Sequence, residues 1–211
     1  KAALPNKKLY VDRKGGFIGT DRKTLKSKTG EEEFLFECSP HDDIIVFRKD
    51  GYFSVHKVED KKFSGKNIIH VERFDRKDRQ TVFNMIWEDT LKERSFAKRF
   101  NPGGLTRDKE YILGTEKGSI VHYVSSNAGS ETEIVRLTLK NRPRIKLKFE
   151  VDFAEIGIKG RGAAGVTVSK HPLKKVEFLS DSTLSSGTGR ELFYHKNSGV
   201  VNIDESGESL G

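Results

Sequence analysis

Disulfides are excluded at the outset. The chain of 211 residues holds one cysteine, Cys38, so it cannot belong to the cross-linked secreted mini-proteins. Long apolar runs are missing as well. The longest aliphatic and aromatic run is Ile44-Ile45-Val46-Phe47, far short of a membrane span, and Lys1 to Tyr10 contains no signal-peptide apolar core. No segment sustains an apolar stripe at helical spacing, and 20 glycines recur too often for long helices. Only short stretches such as Glu88 to Phe100 leave helix open. These absences point to a soluble, cytosolic protein not built from helices.

What is present is charge and β periodicity. The 39 Lys and Arg against 31 Asp and Glu give a net charge of +8, distributed in blocks. Lys1 to Lys28 comes to +7, Thr29 to Asp60 to −6, Arg136 to Val176 to +8, and Glu177 to Gly211 to −4. Basic blocks brought onto one surface by folding make a field for a polyanion; left apart, they are an ordinary solvated surface. Arg144 to Glu150 alternates strictly between apolar and charged residues, and Val135, Leu137 and Leu139 alternate with Arg136, Thr138 and Lys140. Both patterns predict strands whose solvent face is mainly basic.

A looser unit repeats along the chain: a β-rich run, a basic or polar turn ending in Gly, and a second β-rich run. It reads LYVDRKGGFIGT from Leu9, IIVFRKDGYFSVHKV from Ile44, FAKRFNPGGLTRDKEY from Phe96, IKGRGAAGVTVSKHPLKKV from Ile158 and LFYHKNSGVVNI from Leu192. The turn glycines, Gly16, Gly51, Gly104, Gly165 and Gly199, stand 35, 53, 61 and 34 residues apart, which suits one four-stranded unit per repeat. Tight hairpins favour Gly because it reaches positive φ at low steric cost. The prediction is an all-β disc of about five four-stranded blades, residues 1–203, followed by a short acidic, flexible tail at 204–211.

These stretches resemble the C-terminal domain of the A subunit of bacterial type IIA topoisomerases, DNA gyrase and topoisomerase IV. DDIIVFRKDGYFSVHKV (Asp42 to Val58) is similar to the family's blade-opening strand, turn and strand. RSFAKRFNPGGLTRDKEY (Arg94 to Tyr111) resembles a middle-blade turn, and RIKLKFEVDFAEIGIKGRGAAGVTV from Arg144 a late blade. The resemblance implies a β-pinwheel, a propeller-like disc whose blades exchange strands. It implies a non-catalytic domain that binds and bends duplex DNA around a basic rim, presenting a segment for ATP-dependent strand passage. The implied partners are duplex DNA, the ATPase B subunit and the rest of the A subunit, with no membrane. The implied location is cytoplasmic, with the bacterial nucleoid. The isolated domain is expected to be monomeric, inactive alone without the catalytic-tyrosine domain, and free of cofactors; ATP and Mg2+ would act elsewhere in the parent enzyme.

One departure bears on the type of parent. Gyrase carries a Gln-Arg-Arg-Gly-Gly-Lys-Gly box after the first blade's opening hairpin. Here the corresponding stretch, Thr20 to Gly30, keeps Arg22, Lys23, Lys26 and Lys28 but has only Gly30. RKGG at Arg13 to Gly16 sits in the hairpin turn itself. The departure favours a topoisomerase IV-like protein that bends DNA without full chiral wrapping.

Other motifs have duller explanations. GRGAAG, Gly160 to Gly165, matches a dinucleotide-binding pattern by letters, but the strand signal Val166-Thr167-Val168 follows where a helix is needed. It reads instead as a structural turn, or as one where Arg161 projects and Gly admits a DNA backbone. Cys38-Ser39-Pro40-His41 has no second cysteine toward the four ligands a zinc site wants and reads as a connecting loop. Six scattered histidines show no nucleophile signature, and Glu31-Glu32-Glu33 lacks a carboxylate facing it across a cleft. The residues selected for DNA lie in the turns and adjoining loops: Arg13, Lys14, Arg22, Lys23, Arg48, Lys49, Lys98, Arg99, Arg107, Arg161, Lys170, Lys174 and Lys196, with Lys146 and Lys148 behind them. The rival reading is a protein-interaction propeller for which DNA is irrelevant.

Overall fold

The computed structural model describes residues 6–25, 32–113, 118–127, 131–141, 143–182, 193–195, 200–202 and 208–209. Helix among them is confined to α1 (Arg22–Leu25) and a 3-10 turn at Phe153–Glu155 capped by the Asp152 carboxylate. Everything else regular is strand. Glu88 to Phe100, ambiguous by pattern, forms two strands and the turn between them.

Each unit opens on an antiparallel hairpin and later lays a further strand along the hairpin's first strand. In the first unit β1 (Lys7–Asp12) and β2 (Phe17–Gly19) form the hairpin and β3 (Glu33–Cys38) pairs with β1. In the second, β4 (Asp43–Arg48) and β5 (Tyr52–Lys57) form it; β6 (Lys62–Phe63) leaves to pair with β2, and β7 (Ile68–Phe74) returns to β4. The third unit repeats the plan: β8 (Val82–Asp89) and β9 (Arg94–Asn101), then β10 (Glu110–Ile112) given to β5, then β11 (Ser119–Asn127) on β8. The fourth has β12 (Glu133–Leu139) and β13 (Lys148–Asp152), gives β14 (Ile158–Gly160) and β15 (Val166–Ser169) to β9, and closes with β16 (Leu173–Asp181) on β12. A short fifth sheet has β17 (Phe193–His195) between β18 (Val200–Asn202) and β19 (Glu208–Ser209).

The four larger sheets therefore stand round a ring like propeller blades, each taking a strand from its successor where one is described. Strand numbers depart from a uniform four: the sheets have four, four, five and three strands, and the fifth has three. The expected boundary at residue 204 falls outside the described residues.

Packing explains the strand sequences. Ile44 and Val46 face the first sheet with Leu9, Val11 and Ile18, while Ile45 and Phe47 face the third with Phe83, Met85 and Phe100. Both faces of β4 are buried, so its sequence is a continuous apolar run instead of an alternation. On β12 only one face is covered: Val135, Leu137 and Leu139 pack on Ile86 and Ala97, and the alternation read from sequence holds. Burying each large side chain contributes about 1.5–3 kcal/mol, so these three inter-sheet cores hold the ring.

Two predicted hairpin turns are displaced. Gly16 and Gly51 occupy the first two turns with φ of 84° and 85°. In the third and fourth hairpins the left-handed positions belong to Glu93 (φ 50°) and Arg144 (φ 63°). Gly104 instead follows β9, and Gly165 lies in the link between β14 and β15. Gly199 is outside the described residues.

Candidate nucleic-acid interface

Strands β7, β11 and β16 of neighbouring sheets lie against one another, so the sheets converge there and diverge at the opposite edge. That outer edge consists of the exchanged strands β6, β10, β14 and β15, and of β13 on the fourth sheet. It carries Lys61, Lys62, Lys66, Arg107, Lys109, Lys146, Lys148, Lys159 and Arg161. Carboxylates on the same edge are committed: Glu59 and Asp108 to Lys62 (3.3 and 3.0 Å), Glu110 to Arg48, and Glu150 to Arg136 (3.0 Å). Lys66, Lys109, Lys146, Lys148 and Lys159 are exposed, with no ion-pairing carboxylate among the described residues. Of the residues selected from sequence, Arg107, Arg161, Lys146 and Lys148 lie on this edge. Lys61, Lys62, Lys66, Lys109 and Lys159 were missed, because strands of two or three residues show no alternation.

The turn residues do different work. Arg13 makes a bidentate pair with Glu33 (2.7 and 3.1 Å), which holds that carboxyl below its ordinary range, and donates to the Ile69 carbonyl (3.0 Å). Arg48 is bound by Asp50 and Glu110 and reaches the Ser64 carbonyl. Both arginines thus tie a hairpin tip to the segment entering from the next unit. Arg107 and Arg76 share the buried Asp43 carboxylate at 2.6 and 3.0 Å. Lys14 and Lys49 are exposed at hairpin tips, Arg22 and Lys23 on α1, and Lys170 and Lys174 at the entry to β16. Lys196 lies outside the described residues.

Lys98 and Arg99 require correction: both are buried and cannot reach a DNA backbone. Lys98 is 2 % exposed, its Nζ donating to the carbonyls of Leu113, Arg161 (2.7 Å) and Ala163 (3.5 Å) over the rings of Trp87 and Phe100. It clamps segments contributed to two different sheets. Arg99 is enclosed near Glu133 and Asp152 and donates to the Glu131 carbonyl (3.4 Å).

Burial lowers the Lys98 ammonium from 10.5 to about 8. The unfolded chain keeps this proton up to the ordinary value. Between those values it binds more protons at the site than the folded chain, so stability rises with pH across the window. The full increment is about 3 kcal/mol. Urea unfolding at about pH 7 and about pH 10 should show it in the unaltered chain and not in Lys98→Met; equal pH dependence in both would contradict it.

Spacing also concealed a relay. Asp108 can only accept, so His56 Nδ1 donates to its Oδ1 (2.9 Å), and His56 Nε2 shares a hydrogen bond with the Ser54 hydroxyl (2.8 Å). Ser54 and His56 are 4 % and 6 % exposed, leaving little room for a reacting carbonyl. Asp108, at φ 59°, also donates its N–H to the Val55 carbonyl, so the relay fastens the 106–109 loop onto β5. Cys38 is likewise buried, in the core between the first two sheets, where burial raises its thiol pKa.

A ring of small sheets that exchange strands defines a propeller-like β domain of the pinwheel type. The chain belongs to the topoisomerase C-terminal domain family: the model described as Topoisomerase C-terminal domain, Bacteroidota, matches residues 8–180. It is also similar to the A subunit of DNA topoisomerase 4 from Borreliella burgdorferi, 28 % identical over 177 residues, which covers 83 % of this chain and 26 % of that protein. The chain thus spans about a quarter of the length of this relative. No helix among the described residues is long and apolar enough to cross a membrane.

Proposed function

We propose that this domain binds duplex DNA along the outer edge of the ring and bends it, within a topoisomerase IV-like A subunit. The supporting observation is the set of exposed edge lysines without carboxylate partners among the described residues, on the edges of the first to fourth sheets. Such cations gain most from phosphates, because no described carboxylate forms an ion pair with them. A rigid convex edge converts that sequence-independent attraction into curvature, with the bending cost repaid by further contacts. In the full enzyme, with its ATPase partner subunit, the bent segment is offered for strand passage.

Titrating a labelled linear duplex across salt tests this reading. Six phosphate contacts, from the five unpaired lysines and Arg161, predict a log–log slope of about −5. Affinity then falls about a thousandfold between about 50 mM and about 200 mM salt. Longer duplexes should bind more tightly. Weak binding without salt dependence would remove DNA as the ligand and leave a protein-interaction ring.

A further inference from the structure

We infer that Arg161 is a pre-formed socket for one backbone phosphodiester of the duplex, at the junction between the edges of the second and third sheets. The inference rests on the DNA-binding reading above and adds a fixed contact to it.

Arg161 lies in the link between β14 and β15. Its Nη1 donates to the carbonyls of Pro102 (2.7 Å) and Gly104 (3.2 Å), and its guanidinium carbon sits 4.8 Å from the Tyr111 ring centroid. The ring is itself fixed: the Thr106 N–H donates to its hydroxyl (2.8 Å), and Phe53 packs at 5.5 Å. The Arg161 carbonyl is held from beneath by Lys98. Backbone and side chain are thus both anchored.

Neutral groups provide all the anchors of the guanidinium itself. Among the described residues no carboxylate pairs with Arg161, and neither Nε nor Nη2 has a hydrogen-bond partner. Carbonyl oxygens and an aromatic face favour the cation without cancelling its charge. The vacant pair of donors is the guanidinium edge that grips two oxygens of a phosphate in parallel. Lys109, 5.6 Å from the same ring, and Lys159 on β14 add positive potential on either side. Arginine geometry, and not charge alone, therefore matters at this position.

Duplex affinity of the isolated chain should fall about tenfold in Arg161→Lys, whereas Arg13→Lys, at an arginine already paired with Glu33, changes it less than about twofold. Tyr111→Leu, which keeps the guanidinium but removes its platform, should weaken binding about threefold. Thermal unfolding identifies any variant that loses the fold, and Tyr111→Leu then stands as the test if Arg161→Lys does. Folded variants that bind like the unaltered chain would overturn the socket while leaving the DNA reading intact. Absence of salt-dependent binding by the unaltered chain would overturn both.

Discussion

Alanine at Gly16 should cost the fold about 4 kcal/mol, and alanine at Gly104 less than about 0.5 kcal/mol. The two glycines hold equivalent places in the sequence repeat and different ones in the structure. Gly16 has φ 84°, and a Cβ there would overlap the Gly65 carbonyl and lie 2.7 Å from the Lys66 nitrogen. Those are backbone atoms, which cannot swing aside as a long side chain would. The Gly16 carbonyl accepts the Ser64 N–H (2.8 Å), so the overlap falls where β6 is delivered to β2. Gly65 is confined in turn, at φ 94° beneath the Arg48 side chain. Left-handed strain contributes about 1–3 kcal/mol and overpacking a similar amount. Around Gly104 a Cβ would meet nothing within 4 Å, and φ is not in the left-handed region. Urea unfolding of the two variants checks the contrast; equal losses would mean that the turn-glycine repeat, and not the strand hand-over, governs these positions.

This contrast also shows how far the sequence could be read. Gly16 and Gly51 disclosed the first two hairpins because their turns need positive φ. Glu93 and Arg144 take that conformation in the next two, so the composition signal vanishes and the repeat shifts to glycines with other duties. Gly165 is small because a Cβ there would strike the Trp87 ring and lie 2.8 Å from the Ala97 carbonyl. The all-β ring survives these shifts because it rests on strand periodicity and apolar runs. Individual cations were harder to assign, since a basic letter does not reveal its neighbours. Lys98 shares its face of β9 with Phe96 and Phe100, and that parity was a legible sign of a core-facing lysine. Arg13 gave no such sign, since its partner Glu33 is 20 residues away; Arg48 has Asp50 two residues on, but its second partner, Glu110, is 62 residues away.

Partnership should separate the cations that bind DNA from those that hold the ring. Changing Lys109, Lys146, Lys148 and Lys159 together to glutamate should lower duplex affinity at least about a thousandfold near physiological salt and flatten the salt slope by about 4. Each replacement removes a phosphate contact and adds a charge that repels the backbone. The fold should survive, because these side chains are exposed and pair with no carboxylate among the described residues. Arg13→Gln should do the reverse. Its charge is already committed to Glu33, so DNA affinity should change less than about twofold. Its stability cost should stay near 1 kcal/mol, since the pair is partly exposed although the Ile69 carbonyl also loses a donor. Salt titrations and unfolding curves of the two variants give four numbers that only one arrangement satisfies. If Arg13→Gln weakened DNA binding as strongly as the fourfold reversal, the backbone would run over the hairpin tips. The outer edge would then be a solvated surface whose lysines keep the ring soluble.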